Sequence, residues 1–362
     1  SLRLQRATEL LALGGATLVL LPLSWALRDA LGLDAAELAV GFTMFQLAHV
    51  LNDPHFAVTY LLFYRNVRER SSSPAIDRVQ RARFWIAGVL VPVALVSCAA
   101  FALFAPSPQT LGWMAQAMYL LVGWHYAKQG FGVLTLLAAR RGFRFSSLER
   151  AVILAHCYAA WGFAWANPAS DAGLFEEKGV VYWAPGRPAW LELTLGVVLA
   201  LSTLAMIAVL AMRWRRERTL PWLGLGCFVI TIWLWTIFTR LDPLLRDAIP
   251  ALHALQYLYV VWLLRRNEAR AHEGPPSFGT PAGTQVPMPA IGAIGLGFAL
   301  FRGGPWLLDG GVDLGGGDLG GTPFFAAFYV VINVHHYFMD WVIWRRGNPE
   351  TRYLLSDRAA SA

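Results

Sequence analysis

Residues 323–344 read PFFAAFYVVINVHHYFMDWVIW, an apolar run broken only near its middle by Asn333, His335, His336 and Asp340, with Arg345 and Arg346 following at once. A bilayer core about 30 Å thick is crossed by about 20 apolar residues at about 1.5 Å each. The stretch therefore predicts a membrane-spanning helix that ends at a basic flank. Nine more stretches qualify or nearly qualify: about 7–27, 35–63, 84–105, 110–139, 147–166, 189–212, 220–239, 248–264 and 287–301. The ninth in chain order, 287–301, is short and rich in Gly. The fold class expected is all-α, a polytopic transmembrane helical bundle of about ten helices forming a single integral membrane domain over 1–362.

Charge gives an independent check on that count. Numbering the loops alternately from an inside N-terminus places 23 of the 30 basic residues on inside segments, among them Arg65, Arg68, Arg140, Arg141, Arg213, Arg215, Arg265 and Arg345. The outside loops keep only Arg28, Lys178, Arg187, Arg240, Arg246 and Arg302. A miscounted helix would invert the alternation beyond the error, so both termini are expected to be cytoplasmic. Residues 271–288 (AHEGPPSFGTPAGTQVPM) read as a cytoplasmic linker, and 302–323, with Asp309, Asp313 and Asp318, as a Gly-rich outer loop. The outer stretch 167–188 reads as a lid or interfacial segment. The first helix, although preceded by Arg3 and Arg6, is too long for a signal peptide and lacks a cleavage site, so it reads as retained.

Composition excludes several classes. The 362 residues are 56% apolar and only 15% charged, with a mean hydropathy of +0.46, whereas a soluble domain is about one quarter charged. The net charge of +7 lies in short clusters between apolar spans, which argues for the lipid bilayer as partner and against nucleic acid. Cys98, Cys157 and Cys227 all lie in apolar stretches without a CxxC pair, so neither a disulfide framework nor a zinc finger is implied. No GxSxG elbow points to a hydrolase. The expected location is a bacterial inner (plasma) membrane.

The chemistry-bearing residues lie inside the spans, where ionisable groups are costly and mark function. The second span carries Gln46-x-x-His49-x-x-Asn52-Asp53-Pro54-His55, and the fourth carries His125 with Lys128 and Gln129. His156 lies on the fifth, His253-x-x-Gln256-Tyr257 on the eighth, and Asn333-x-His335-His336-x-x-x-Asp340 on the tenth. His49 and Asp53, like His336 and Asp340, are four residues apart and share a helix face. A carboxylate so placed can bind metal or take the second N–H of an imidazole ligand. Counting in from the arginine flanks at about 1.5 Å per residue puts these histidines at depths of about 10–24 Å, in one slab. The candidate metal ligands are His49, Asp53, His55, His125, His156, His253, His335, His336 and Asp340. Asp53, Lys128 and Asp340 are the candidate catalytic groups, with Lys128 expected to pair with Asp53 or Asp340. Imidazole with carboxylate and no convergent thiolate suits iron, with zinc, manganese or copper as alternatives.

His49-x-x-x-Asp53-Pro-His55 resembles the His-x-x-x-Asp-His element of the bacterial Brp/Blh-type membrane β-carotene 15,15′-dioxygenases. In this chain a Pro is inserted between the Asp and the second His. The resemblance implies a polytopic, His-dependent iron enzyme that cleaves β-carotene to retinal. His335-His336 is similar to the paired histidines of membrane desaturases and hydroxylases, whose full HxxxH and HxxHH set is absent. Three readings stand at this point. One is a non-haem metal oxygenase, hydroxylase or desaturase acting on a lipophilic small molecule, with an electron donor. The others are a proton- or metal-ion-coupled transporter and a b-haem electron carrier with paired axial histidines.

Overall fold

The structure is a computed structural model that describes residues 2–237, 243–275, 277–314, 319–345 and 347–358; Arg240, Asp318 and Arg346 lie outside the described residues. The N-terminal half contains α1 (Leu2–Leu10), α2 (Thr17–Leu31), α3 (Leu33–Leu47) and α4 (Asp53–Tyr64). It continues with α5 (Val67–Ser72), α6 (Arg78–Trp85), α7 (Val91–Phe104), α8 (Pro108–Arg140) and α9 (Ser147–Ala166). An antiparallel hairpin of β1 (Gly173–Glu177) and β2 (Val180–Ala184) follows. Then come α10 (Ala189–Glu217), α11 (Trp222–Val229), α12 (Pro243–Glu273) and α13 (Ala282–Gln285). The chain closes with α14 (Pro287–Phe298), α15 (Gly304–Gly311), α16 (Pro323–Ile343) and a 3-10 helix, Pro349–Arg358.

The protein is thus all-α but for one small hairpin among the described residues. Among the described residues four helical runs are long and apolar enough to cross a membrane: Arg78–Phe104, Ala189–Glu217, Arg246–Glu273 and Ala282–Gly311. A fifth exists if Arg6–Gly15 and Thr17–Leu31, bent by 58°, count as one span. Length and composition therefore single out four or five helices rather than the ten expected. The shortfall has a physical source. α8 carries Gln116, His125, Lys128 and Gln129, and α16 carries Asn333, His335, His336 and Asp340, so the polar groups that draw attention also dilute their helices' apolar character.

Two segments expected to be loop are partly helical. α12 continues to Glu273, and 282–311 is one helical run, so the break between them shrinks to 274–281. Pro287 and Pro305 stand in the first turns of α14 and α15, just after a turn at Val286 and the π-helical turn Ala299–Gly303, which accommodate the missing N–H within the run. Arg302 and Asp309 consequently lie on helix, not in a Gly-rich loop. The Asp309 carboxylate accepts from the backbone N–H groups of Phe324 (2.8 Å) and Phe325 (3.1 Å), and so caps α16 from outside the helix.

Local sequence explains the other boundaries. Ser146 and Glu149 form a reciprocal capping box at the start of α9. Gly32, at φ +80°, supplies the left-handed turn between α2 and α3. At the hairpin tip Lys178 and Gly179 both have positive φ, the requirement of a two-residue turn that matches strand twist. The hairpin docks on α8. Tyr182 lies against Gly112, where no Cβ intrudes, and accepts a 2.7 Å hydrogen bond from Gln116 Nε2. The Tyr119 hydroxyl donates to Glu177.

Apolar side chains pack in clusters stacked along the helices. One, at the hairpin end, includes Leu111, Met114, Tyr182, Phe324 and Val330. Another, at the arginine-rich end, includes Phe63, Phe84, Leu263, Leu264 and Met339. On α16 the change from one cluster to the next falls between Tyr337 and Met339, just after His336, and on α4 the second begins just after His55.

A candidate metal centre of four imidazoles

Four helices each deliver one histidine to a common point: His55 from α4, His125 from α8, His253 from α12 and His336 from α16. All four are buried, and one nitrogen from each lies within 4.8 Å of the others. The rings meet edge to face, with centroids 4.5 Å apart for His55 and His336, 5.0 Å for His55 and His253, and 4.9 Å for His125 with either His253 or His336.

Hydrogen-bond accounting separates this group from ordinary interhelical ties. Buried polar atoms are nearly always paired, because each unpaired group costs about 1–3 kcal/mol. Here both nitrogens of His55, both of His336 and Nδ1 of His253 make no well-formed hydrogen bond among the described residues, although the Asn52 backbone interacts with His55 and Asp340 Oδ2 lies 3.4 Å from His336 Nε2. His125 Nε2 and His253 Nε2 face each other at 3.1 Å. Two nitrogens held by one ion at about 2.1 Å sit about 3.0–3.4 Å apart, so this edge already fits. A trans pair on one such ion spans about 4.2 Å, so the wider pairs need only a small inward shift.

Asp340 supports the cage from behind. Its Oδ2 is 3.4 Å from His336 Nε2 and 3.7 Å from His125 Nδ1, the place of a carboxylate that takes the second N–H of two imidazoles. Its Oδ1 accepts from the Tyr257 hydroxyl at 2.8 Å and from Trp344 Nε1 at 3.2 Å. The Tyr257 hydroxyl is in turn 2.7 Å from Thr59 Oγ1. A further chain steadies α12: Gln129 Nε2 donates to Gln256 Oε1 (2.7 Å), and Gln256 Nε2 donates to the Leu13 carbonyl (2.7 Å). That carbonyl is freed by the break in the first helix, where Gly14 has φ +130°.

The remaining candidates lie elsewhere. His335 points away from the cage: Nε2 donates to the Ala87 carbonyl and Nδ1 accepts from Tyr60, both at 3.0 Å. Ala87 lies in the π-helical turn Ile86–Leu90, whose loosened ladder leaves carbonyls for other donors. His335 is a tie, not a ligand, because both ring nitrogens are engaged. His156 is stacked on Trp233 (centroids 5.8 Å) with Nδ1 3.2 Å from Ser202 Oγ, so it belongs to the α9–α10 packing. Lys128 turns to α9, its Nζ 5.3 Å from the Tyr158 ring, rather than to Asp53 or Asp340. His49 and Asp53 pair with each other at 3.3 Å and are not among the four.

Sequence reasoning missed Trp344 and Thr59, and noted Tyr257 beside His253 without giving it a role. Trp344 was signalled by its place four residues after Asp340, and Tyr257 by its place four after His253. Thr59 had no signal beyond its spacing from His55. Comparison of the chain with protein-family models, with curated proteins and with solved structures found no match.

Proposed function

We propose that this chain is a membrane-embedded, non-haem metal oxidoreductase of the oxygenase, hydroxylase or desaturase type, acting on a lipophilic substrate. In this reading the ten apolar stretches are ten spans with both termini cytoplasmic, in a bacterial inner membrane. The observation that carries it is the cage: four buried imidazoles, one from each of four helices, with five ring nitrogens that make no well-formed hydrogen bond among the described residues. The absence of thiolate from the cage argues against an iron–sulfur cluster, and the resemblance of His49-x-x-x-Asp53-Pro-His55 to the β-carotene dioxygenases favours iron over zinc, manganese or copper.

His55, His125, His253 and His336 would hold the ion, which when bound supplies activation of dioxygen. Asp340 holds the imidazoles of His336 and His125 in one tautomer and orientation, and Tyr257 and Trp344 fix the carboxylate. The packed clusters on either side exclude water, as a site handling a reactive oxidant requires.

The haem reading loses support from ring spacing. Two axial imidazoles on one haem have centroids about 6 Å apart with the macrocycle between them. The four rings here stand too close to leave that slot. The transporter reading has one structural ally, the bent first helix, but the carbonyl freed at its break is already capped by Gln256.

The test is oxygen uptake by iron-loaded protein in lipid nanodiscs on addition of β-carotene or geranylgeraniol. Uptake that depends on substrate and disappears in His55→Ala and His336→Ala supports the reading. Uptake that is unchanged in both variants contradicts it.

A further inference from the structure

Asp53 and His49 stand outside the cage, in surroundings of their own. His49 Nδ1 and Asp53 Oδ2 are 3.3 Å apart, yet neither atom has a hydrogen-bond partner among the described residues. Asp53 is only 3% exposed, whereas the His49 side chain keeps 31% of its surface open, beside the half-exposed ring of Phe45. Arg302 comes from the helical run that packs on α4 and reaches the same place beside Phe45, whose ring is 5.7 Å from that of His49. Its guanidinium lies 4.3 Å from the Phe45 ring, and its buried Nε also has no partner among the described residues.

The backbone at this place is unusual on both sides. Ala48–Asn52 and Ala299–Gly303 are π-helical turns, a distortion that recurs at functional sites. Between them Gly297 lets the two helices meet closely, since a Cβ there would stand 2.7 Å from the Asp53 carbonyl carbon. A buried carboxylate and a guanidinium Nε, neither with a hydrogen bond among the described residues, thus lie close to one partly exposed imidazole.

The charges select the ligand. A second cation is opposed by Arg302, and a phosphate or carboxylate is opposed by the buried Asp53. A neutral hydroxyl meets both conditions, donating to Asp53 and accepting from Arg302 or His49. Aromatic rings connect the place to the cage. Phe301, next to Arg302, lies 5.1 Å from Phe56, whose ring is 4.6 Å from His55 and 4.8 Å from His336.

We infer that Asp53, His49 and Arg302 form a lipid-facing polar site that binds the hydroxyl end of a lipophilic alcohol, its hydrocarbon chain lying along Phe301 and Phe56 towards the four histidines. The inference names a substrate class for the metal centre and rests on that reading of the cage.

The test uses full-length protein in lipid nanodiscs with three tritiated probes: geranylgeraniol, its methyl ether and the hydrocarbon phytane. The alcohol is expected to bind roughly tenfold or more tighter than phytane, with the ether between them, as for a hydrogen bond to charged partners. In Arg302→Met and in the isosteric Asp53→Asn the alcohol should lose this advantage, while Arg302→Met still retains metal at the cage. Equal binding of alcohol and phytane by the native protein overturns the inference, as does a preference that survives in both variants. If Arg302→Met fails to run as a monodisperse species, Asp53→Asn and the ether comparison carry the result. A hydroxyl preference lost in the variants, in a protein that binds no metal, supports the polar site and removes the metal reading alone.

Discussion

His125 Nε2 and His253 Nε2 lie 3.1 Å apart although their residues are separated by 128 positions in the chain. Without an ion that contact can be satisfied only if one ring donates to the other, and five ring nitrogens of the cage still make no well-formed hydrogen bond among the described residues. One ion would take one nitrogen from each of the four rings at once, and this is why the cage reads as a metal site instead of four hydrogen-bonded core histidines.

Asp340→Asn should weaken metal binding by about 10- to 100-fold without abolishing it, the usual effect of removing a carboxylate that orients ligands. The chemistry is specific: an amide whose oxygen faces His336 and His125 turns its NH2 towards the Tyr257 and Trp344 donors, and it lacks the carboxylate's charge. Competition with a chelator of known affinity measures the change. An unaltered affinity would remove Asp340 from the supporting role.

His335→Ala should leave metal stoichiometry at the native level and lower thermal stability. Removing the ring leaves the Ala87 carbonyl and the Tyr60 hydroxyl short of partners, a cost of about 1–3 kcal/mol. Metal analysis and a thermal unfolding curve on the same preparation separate the two effects. Loss of metal with unchanged stability would make His335 a ligand after all.

The contrast between His335 and His336 marks how far sequence reading reaches. Helical spacing joined His336 to Asp340, and the cage contains His55, His125, His253 and His336 from the expected set. Adjacent residues on a helix point about 100° apart, so only one of a His-His pair can face a given point, and the sequence does not say which. His253 was legible as a buried histidine, but its convergence on His125 depends on tertiary packing. The loop boundaries at 274 and 311 failed for another reason. Gly and Pro dominate those stretches, yet Pro287 and Pro305 stand in first turns where helix accepts them.

Gly297→Leu should destabilise the protein by about 1–3 kcal/mol, since even a Cβ would press on the Asp53 and Pro54 backbone. Backbone cannot yield as a flexible side chain does, so α14 must move off α4. A lowered midpoint of thermal unfolding checks this, and an unchanged midpoint would mean that the two helices are not held in that contact.

Docking of the C-terminal 3-10 helix should weaken in acid. Burial works to raise the Glu350 carboxyl, but Arg70 at 2.6 Å and Arg65 at 3.0 Å outweigh it and hold the group below its ordinary value. A depressed carboxyl contributes stability that is fully present above its unfolded pKa, about 4.3, and is lost as pH falls through its lower folded value. Hydrogen-exchange protection factors of residues 349–355, corrected for the intrinsic pH dependence of amide exchange, should therefore fall below about pH 4.3, and Glu350→Gln should already show low protection at neutral pH. Protection factors independent of pH in the native protein would contradict the assignment.

The most direct test of the metal centre is elemental analysis of the detergent-purified protein after anaerobic iron loading, read together with its optical spectrum. A four-histidine iron site requires about one iron per chain, no Soret band, and loss of the iron in His55→Ala and His336→Ala while both variants still insert in the membrane. Full iron occupancy in those variants, or an intense Soret band in the native protein, would contradict that assignment.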